Sequence, residues 1–296
     1  MEKYQVLENK RKEKLGEYKK ARNIAIIFFV IGILALIFIV QNEIFLFIGG
    51  ALIVVAIIFI GKSANLKNKY RDFIKQELIK ELLEGEFDEV TYLPRQMISI
   101  SKINEVGLVK KPDRYNGEDY ISGKYKGVAF EVSDINLKEE RVTTDSKGNT
   151  HVTYETYFKG RWYIYRFNRR FNEVLKISEG RFNTVYTRGL TKLETESIEF
   201  NKKFRIFTSN EEFGFYHITP AMIHKLLELE SMHRGTIHFC IIRNELHIGV
   251  NDNYDYMEFP LNKPVNEQSI KNFMADIDLI PAIINELRLD SQKYNL

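Results

Sequence analysis

Hydrophobic residues gather along this chain in two long blocks. From Ile24 to Val40 there is no polar interruption, and 14 of the 17 positions are Ile, Leu, Phe or Val; from Ile44 to Ile60 the count is 13 of 17. Neither block carries a charge, and neither has the polar face that a helix buried in a soluble core normally keeps. Each helix would span about 25 Å, the short end of what crosses a hydrocarbon core, and each gains about 4–8 kcal/mol on insertion. The linker is Gln41-Asn42-Glu43. One unbroken helix would put Glu43 in mid-membrane at a cost of about 3 kcal/mol, so two antiparallel spans with a tight turn are expected. A cleaved leader is not expected, given the long basic segment in front and the second apolar block behind. Small residues (Gly32 and Ala35; Gly49, Gly50 and Ala51) offer places for close helix contact, although no clean small-xxx-small pair spans the hairpin.

Downstream the pattern changes twice. Leu66, Tyr70, Phe73, Ile74, Ile79, Leu82 and Leu83 recur at mostly helical spacing, which predicts a stalk continuing the second span to Gly85. A short helix is expected after Pro94, over 95–105. From about Tyr120 the periodicity becomes that of strands. Tyr120–Tyr125 and Val128–Val132 flank Lys126-Gly127, and a longer hairpin turns at 145–149. Trp162–Phe167 and Val174–Ile177 complete a β-rich stretch. Further on, a short helix is expected at 196–204 and a strand at 205–208. Thr219-Pro220 starts a helix over Ala221–Glu230, with Thr as the cap. A hairpin follows over 237–250, and a last helix from Ser269 to Leu287 contains Pro281. The predicted class is α+β: an N-terminal transmembrane helical hairpin, then a mixed antiparallel-sheet and helix cytoplasmic domain. Its segments are a basic leader (1–22), the hairpin (23–61), a juxtamembrane helical stalk (62–110), a β-rich region (111–190) and an α+β region (191–290).

Charge fixes the expected orientation. The 296-residue chain is formally +3, but residues 1–22 alone are +4 and the remainder is −1. More basic residues (Lys62, Lys67, Lys69, Arg71, Lys75) follow the second span, and the turn has none. The positive-inside rule then places both termini in the cytoplasm, in a two-span protein of the cell membrane. Lys19, Lys20, Arg22, Lys62, Lys67, Lys69 and Arg71 are expected against anionic lipid headgroups. A near-neutral body argues against nucleic-acid binding, which phosphate neutralisation drives. The lone cysteine, Cys240, lies in an apolar run and reads as a small buried hydrophobe.

Two stretches carry a resemblance when taken in order. One is Asn116-Gly117-Glu118-Asp119-Tyr120-Ile121-Ser122-Gly123, then Val128 to Ile135 and Phe158-Lys159-Gly160. The other runs from Glu196 to Phe204 (ESIEFNKKF) and continues to Ile218-Thr219-Pro220. Together with the hairpin they resemble the bacterial family called domain of unknown function 3137. The resemblance departs at Gly160-Arg161-Trp162, where a more apolar continuation is expected. It implies a two-span anchor and a cytoplasmic α+β domain, and it supplies no activity and no catalytic residues.

Candidate chemistry is sparse. His217, His224, His233, His238 and His247 cluster in sequence, but without a ligand pattern such as His-x-x-x-His or paired cysteines. The run Lys159–Phe171 mixes Trp162, Tyr163, Tyr165, Phe167 and Phe171 with Arg161, Arg166, Arg169 and Arg170. That composition suits single-stranded nucleic acid, and equally a strand with its aromatic face inward and its arginines toward water or headgroups. Glu118-Asp119 reads as a turn or cap, since strand neighbours point to opposite faces. There is no Gly-x-Ser-x-Gly, phosphate loop or dinucleotide fingerprint, and no catalytic, cofactor or metal residue is assigned. The reading is a membrane-anchored interaction module, bound to the bilayer and to an unidentified protein, lipid headgroup or small ligand. The alternatives are a membrane-bound enzyme of hydrolase type and, behind it, nucleic-acid binding. A pocket of convergent polar groups with shifted ionisation would favour the enzyme, and a shallow solvated surface would favour binding.

Overall fold

The structure, a computed structural model of the chain, describes all residues except 1, 41, 181–184, 233, 259 and 295–296, and it leaves aside the side chains of 2–4, 40, 78 and 232. Gln41 of the predicted turn and His233 of the histidine-rich stretch therefore lie outside the described residues. The chain forms two compact units: Met1–Glu81 with Glu258–Ala275, and Leu82–Met257 with Asp276–Leu296.

The first unit is built on α1 (Glu2–Ile37) and α2 (Ile44–Ile74). The basic leader is thus helical and continuous with the first apolar block. Asn42 Oδ1 accepts the Ile44 N–H at 2.9 Å and opens α2. Both helices are long and apolar enough to cross a membrane, and only 17% of the most apolar window of the first and 11% of that of the second is buried. Phe47, Ile57 and Ile58 point outward, unlike the residues of a soluble core. Of the buried positions of α2, Gly49, Ala56, Ser63 and Tyr70 fall on every seventh residue, as in a coiled-coil seam, and Ile74 follows one helical turn further on. On α1 the matching face carries Leu7, Arg11, Ala21, Ala25 and Gly32. Backbones meet at Gly32 and Gly49: a Cβ on Gly49 would lie 2.9 Å from the Gly32 carbonyl oxygen and 2.7 Å from Leu36 Cδ2. Gly50 has nothing within 4 Å, and Ala51 is exposed. Of the expected small residues, one from each apolar helix makes the closest approach.

Beyond the apolar part the helices stay paired. Lys10 Nζ sits 3.7 Å above the Phe73 ring. Arg11 Nη1 donates to the Leu261 carbonyl at 2.9 Å, and the Val265 N–H donates to Glu8 at 2.8 Å. Arg11, through its bonds to Glu8, holds that carboxyl down at about 2. Buried Lys75 pairs with Glu258 at 3.0 Å. The leader therefore has tertiary partners of its own, which its charge pattern did not indicate.

The second unit is an α+β domain around one nine-stranded antiparallel sheet, ordered β1-β2-β3-β4-β9-β8-β5-β7-β6. Its strands are β1 (Asp88–Leu93), β2 (Arg114–Tyr125), β3 (Val128–Thr144), β4 (Thr150–Arg166), β5 (Val174–Glu179), β6 (Thr191–Leu193), β7 (Phe204–Thr208), β8 (Thr236–Ile242) and β9 (Glu245–Asn251). The three expected hairpins form. In the tightest, Lys126 and Gly127 both take positive φ (50° and 79°), the paired turn that matches strand twist. The helices of this unit are α3 (Lys80–Glu86), which begins in the first unit, α4 (Ile100–Val106), α5 (Ile198–Lys203), α6 (Glu211–His217), α7 (Pro220–Met232) and α8 (Glu267–Leu287), which begins in the first unit and ends in the second. Helix α6 and strand β6 were not expected, and three further features differ from expectation. The helix after Pro94 begins only at Ile100. Asp88–Leu93, read as helical stalk, is an edge strand paired to β2. Asp119 sits in a β2 bulge with φ 58°, where its carboxylate accepts the Tyr92 hydroxyl at 2.6 Å. A bulge lets a strand turn a side chain out of register, so the alternation argument for Glu118-Asp119 does not hold there.

One sheet face packs on α4, with Ile103, Val106 and Leu108 against Trp162, Ile164 and Cys240. The other meets the second half of α8, whose Ile277, Ile280 and Ile284 are fully buried and whose Ile280 carbonyl accepts the Tyr165 hydroxyl at 3.2 Å. Gly160, at φ 154°, lets β4 pass the Val250 carbonyl, which a Cβ would approach to 2.1 Å. That is the physical content of Phe158-Lys159-Gly160.

Candidate functional site: a cavity beside His217

The site begins with two local signals. Asn210 Oδ1 caps α6 by accepting the Phe213 N–H at 2.9 Å. Thr219 Oγ1 accepts the Met222 N–H at 3.3 Å and opens α7. His217 ends α6 in the short link between them. The opposite wall comes from the chain after α8. There Arg288 takes φ 51°, its N–H reaches the Asn285 carbonyl, and the Leu289 N–H reaches Ile284 at 3.0 Å. This is a Schellman stop with a buried leucine as its apolar contact. Arg169 then pins the returning segment: its N–H donates to the Tyr294 carbonyl at 2.9 Å, and its Nη1 to the Lys293 carbonyl at 3.3 Å.

Between these walls lies a cavity of about 750 Å³, lined by His217, Thr219, Ala221, Met222, Lys225 and residues 286–288 and 290–294. Its volume falls within the range of small-molecule pockets. His217 is 4% exposed. Its ring is boxed by Phe213 (centroids 4.4 Å), Tyr216 (5.0 Å), Phe171 (5.3 Å) and Tyr294 (6.0 Å). Nδ1 lies 3.0 Å from the Phe213 carbonyl. A carbonyl only accepts, so Nδ1 carries the proton and Nε2 is left as an acceptor. Nε2 is buried and has no hydrogen-bond partner among the described residues. Burial lowers the imidazole to about 4, with nearby Lys293 and Arg169 adding to the effect. Burial first, then Arg169, lowers the Lys293 ammonium to about 8. That ammonium donates to the Tyr216 carbonyl at 3.0 Å and lies over the Tyr216 and Tyr294 rings. Lys225 is paired with Glu286.

The aromatic-basic run resolves differently from the nucleic-acid reading. Trp162, Tyr163, Tyr165, Phe167 and Phe171 are all buried, so none is a platform for a base. Arg161 is fully buried, bound to Asp134 at 2.7 Å and to the Asp276 carbonyl at 3.2 Å, and stacked 4.1 Å over Tyr256. Its presence under Gly160, where an apolar residue was expected, is thus an internal ion pair. Arg166 is held by Glu131 and by Glu245, the latter at 2.8 Å.

The histidines scatter. His238 faces Ser178 at 2.9 Å and is lowered to about 4 by burial. His247 lies between Glu245 (3.0 Å) and the Trp162 indole (3.4 Å). His224 is exposed. None of these, nor His217, belongs to a group of three or more ligating side chains among the described residues. Cys240 is buried, and burial pushes its thiol up to about 12. Lys19, Lys20, Arg22, Lys62, Lys67 and Lys69 are exposed on α1 and α2, and Arg71 is half-buried. Sequence reading missed Lys293 and Tyr294, which meet His217 only through long-range packing.

Residues 156–289 match the family model described as protein of unknown function (DUF3137). They include the Phe158-Lys159-Gly160 and Glu196–Pro220 motifs and leave out the stretch from Asn116. No curated protein matches the chain. Among solved structures, the crystal structure of the mycobacterial trehalose monomycolate transport factor A, TtfA, aligns over 67% of this chain and 88% of that chain, at 7% identity and a TM-score of 0.37. A likeness that low carries nothing about architecture or activity from one chain to the other.

Proposed function

Taking as premise that residues 156–289 belong to the DUF3137 family of unknown function, we propose that this chain is a membrane-anchored binding module. The apolar halves of α1 and α2 lie in the bilayer. Both termini face the cytoplasm, where Lys19, Lys20, Arg22, Lys62, Lys67, Lys69 and Arg71 meet headgroups. The sheet domain takes a small ligand in the His217 cavity. The observation that carries this reading is the cavity of about 750 Å³, whose wall joins His217 to the Lys293 ammonium and the Tyr294 ring.

The hydrolase alternative draws on the same shifted groups, and the direction of the shifts weighs against it. A general base works best near the ambient pH, whereas His217 lies at about 4 and its Nδ1 is held by a carbonyl rather than a carboxylate. The test is turnover of p-nitrophenyl acetate and p-nitrophenyl phosphate by the purified full-length protein. No turnover that depends on His217 is expected. Hydrolysis abolished by His217→Phe would replace this reading with the enzyme.

A further inference from the structure

Beyond a bare binding module, and resting on that reading, we infer that α8 couples the helical hairpin to the His217 cavity: the grip of the N-terminal leader on the strap before α8 sets how firmly the cavity wall is held. Each end of this one helix is fixed by side chains from elsewhere in the chain. In the first unit, Glu8 of α1 accepts the Val265 N–H at 2.8 Å, and Arg11, bound to the same carboxylate, donates to the Leu261 carbonyl at 2.9 Å. Leu261 and Val265 are buried. The residue after Val265 caps α8: Asn266 Oδ1 accepts the Ser269 N–H, and Ser269 Oγ accepts the Asn266 N–H, both at 2.9 Å. The helix then runs for 21 residues, or about 32 Å. In the second unit its Ile277, Ile280 and Ile284 are fully buried. The turn that ends it builds one wall of the cavity, with the Leu289 N–H on the Ile284 carbonyl and Arg169 on the carbonyls of Lys293 and Tyr294. A packed helix shifts as a body, by roughly 1–2 Å, rather than deforming turn by turn. Pro281 removes one rung of the ladder, but it falls between Ile280 and Ile284, where burial holds the helix through the gap. The path from strap to cap to helix to turn is covalent, so the coupling draws on no contact between the two units. Glu8 and Arg11 share α1 with Lys19, Lys20 and Arg22, so what the leader meets at headgroups is felt at the strap.

Amide hydrogen exchange on the full chain in neutral phosphatidylcholine nanodiscs tests the coupling from both ends. The Leu289, Ser291 and Tyr294 amides, each bonded within the turn, read the cavity wall. The Val265 amide reads the strap. Arg11→Met, which releases the Leu261 carbonyl, should speed exchange at Leu289, Ser291 and Tyr294 at least about fivefold and leave the amides of residues 162–165 in β4 unchanged. Equilibrium coupling is reciprocal, so Arg169→Met, made at the other end, should speed exchange at Val265 by a comparable factor. Effects confined to the end where each substitution is made overturn the coupling. An increase spread equally over β4 overturns it too, because it reports a loss of global stability. If the Trp162 fluorescence melt shows that Arg11→Met does not fold, Glu8→Gln takes its place: it keeps an acceptor for Val265 and weakens the hold on Arg11, and it should speed the same three amides by a smaller factor. No change at those amides in Glu8→Gln overturns the coupling in that case. No ligand enters the measurement, so its failure leaves the binding-module reading standing. That reading fails separately, on His217-dependent turnover.

Discussion

His217 and His238 are both held neutral by burial, each lowered from 6.5 to about 4. In the unfolded chain they take up protons near pH 6.5, before the folded chain does. Stability is therefore full above that pH and is lost as pH falls toward 4, by about 2 kcal/mol per histidine at pH 5. Glu8 and Glu245, both lowered to about 2, lose their contributions at lower pH, so the histidines dominate between pH 7 and 5. The melting temperature should fall over this interval, and His217→Phe should remove about half of the slope; a flat profile in the parent would refute the burial argument. Arg161 supplies a second prediction at this scale. Arg161→Met strands Asp134 beside Asp276, whose carboxyl burial already raises. A loss of about 3–5 kcal/mol is expected, read from denaturant unfolding by Trp162 fluorescence. A change below 1 kcal/mol would mean that water reaches the pair. Arg161 was visible in the sequence as a cation among aromatics, but its partner acid lies on another strand, and no local pattern announces it.

At the scale of elements, turns and caps were the most legible features. Lys126-Gly127, Thr219-Pro220 and the 145–149 tip act through neighbours in sequence, so residue type alone specifies them. Asp88–Leu93 and Glu211–His217 were missed: the first is a strand only because β2 pairs with it, and the second is a helix of seven residues, too short for its periodicity to show. The helical hairpin was legible from its apolar blocks, but its contact face was not, because the heptad Gly49-Ala56-Ser63-Tyr70 runs across the boundary between the apolar and polar halves of α2. Gly49→Leu should break the seam, lowering the melting temperature of the protein in detergent, whereas Gly50→Leu, with nothing within 4 Å, should leave it unchanged. Equal effects of the two substitutions would place the seam elsewhere.

For the whole molecule, the prediction concerns sidedness. Native Cys240 is buried with a raised thiol and should stay silent to a maleimide. A membrane-impermeant maleimide on intact cells should then label Asn42→Cys in the inter-helix turn, and should label Lys147→Cys at the exposed β3–β4 tip only after permeabilisation. The reverse pattern would invert the orientation. Hydropathy and charge, which act through composition over tens of residues, sufficed to determine the two apolar helices, the α+β class and the expected orientation; capping and turn chemistry set most element ends. Only the tertiary structure decided that the leader pairs with the stalk, that the aromatic-basic run is interior, and that His217, Lys293 and Tyr294 share a cavity. Those contacts join residues far apart in sequence, and their energy depends on which groups burial strips of water together, a property that no single segment carries.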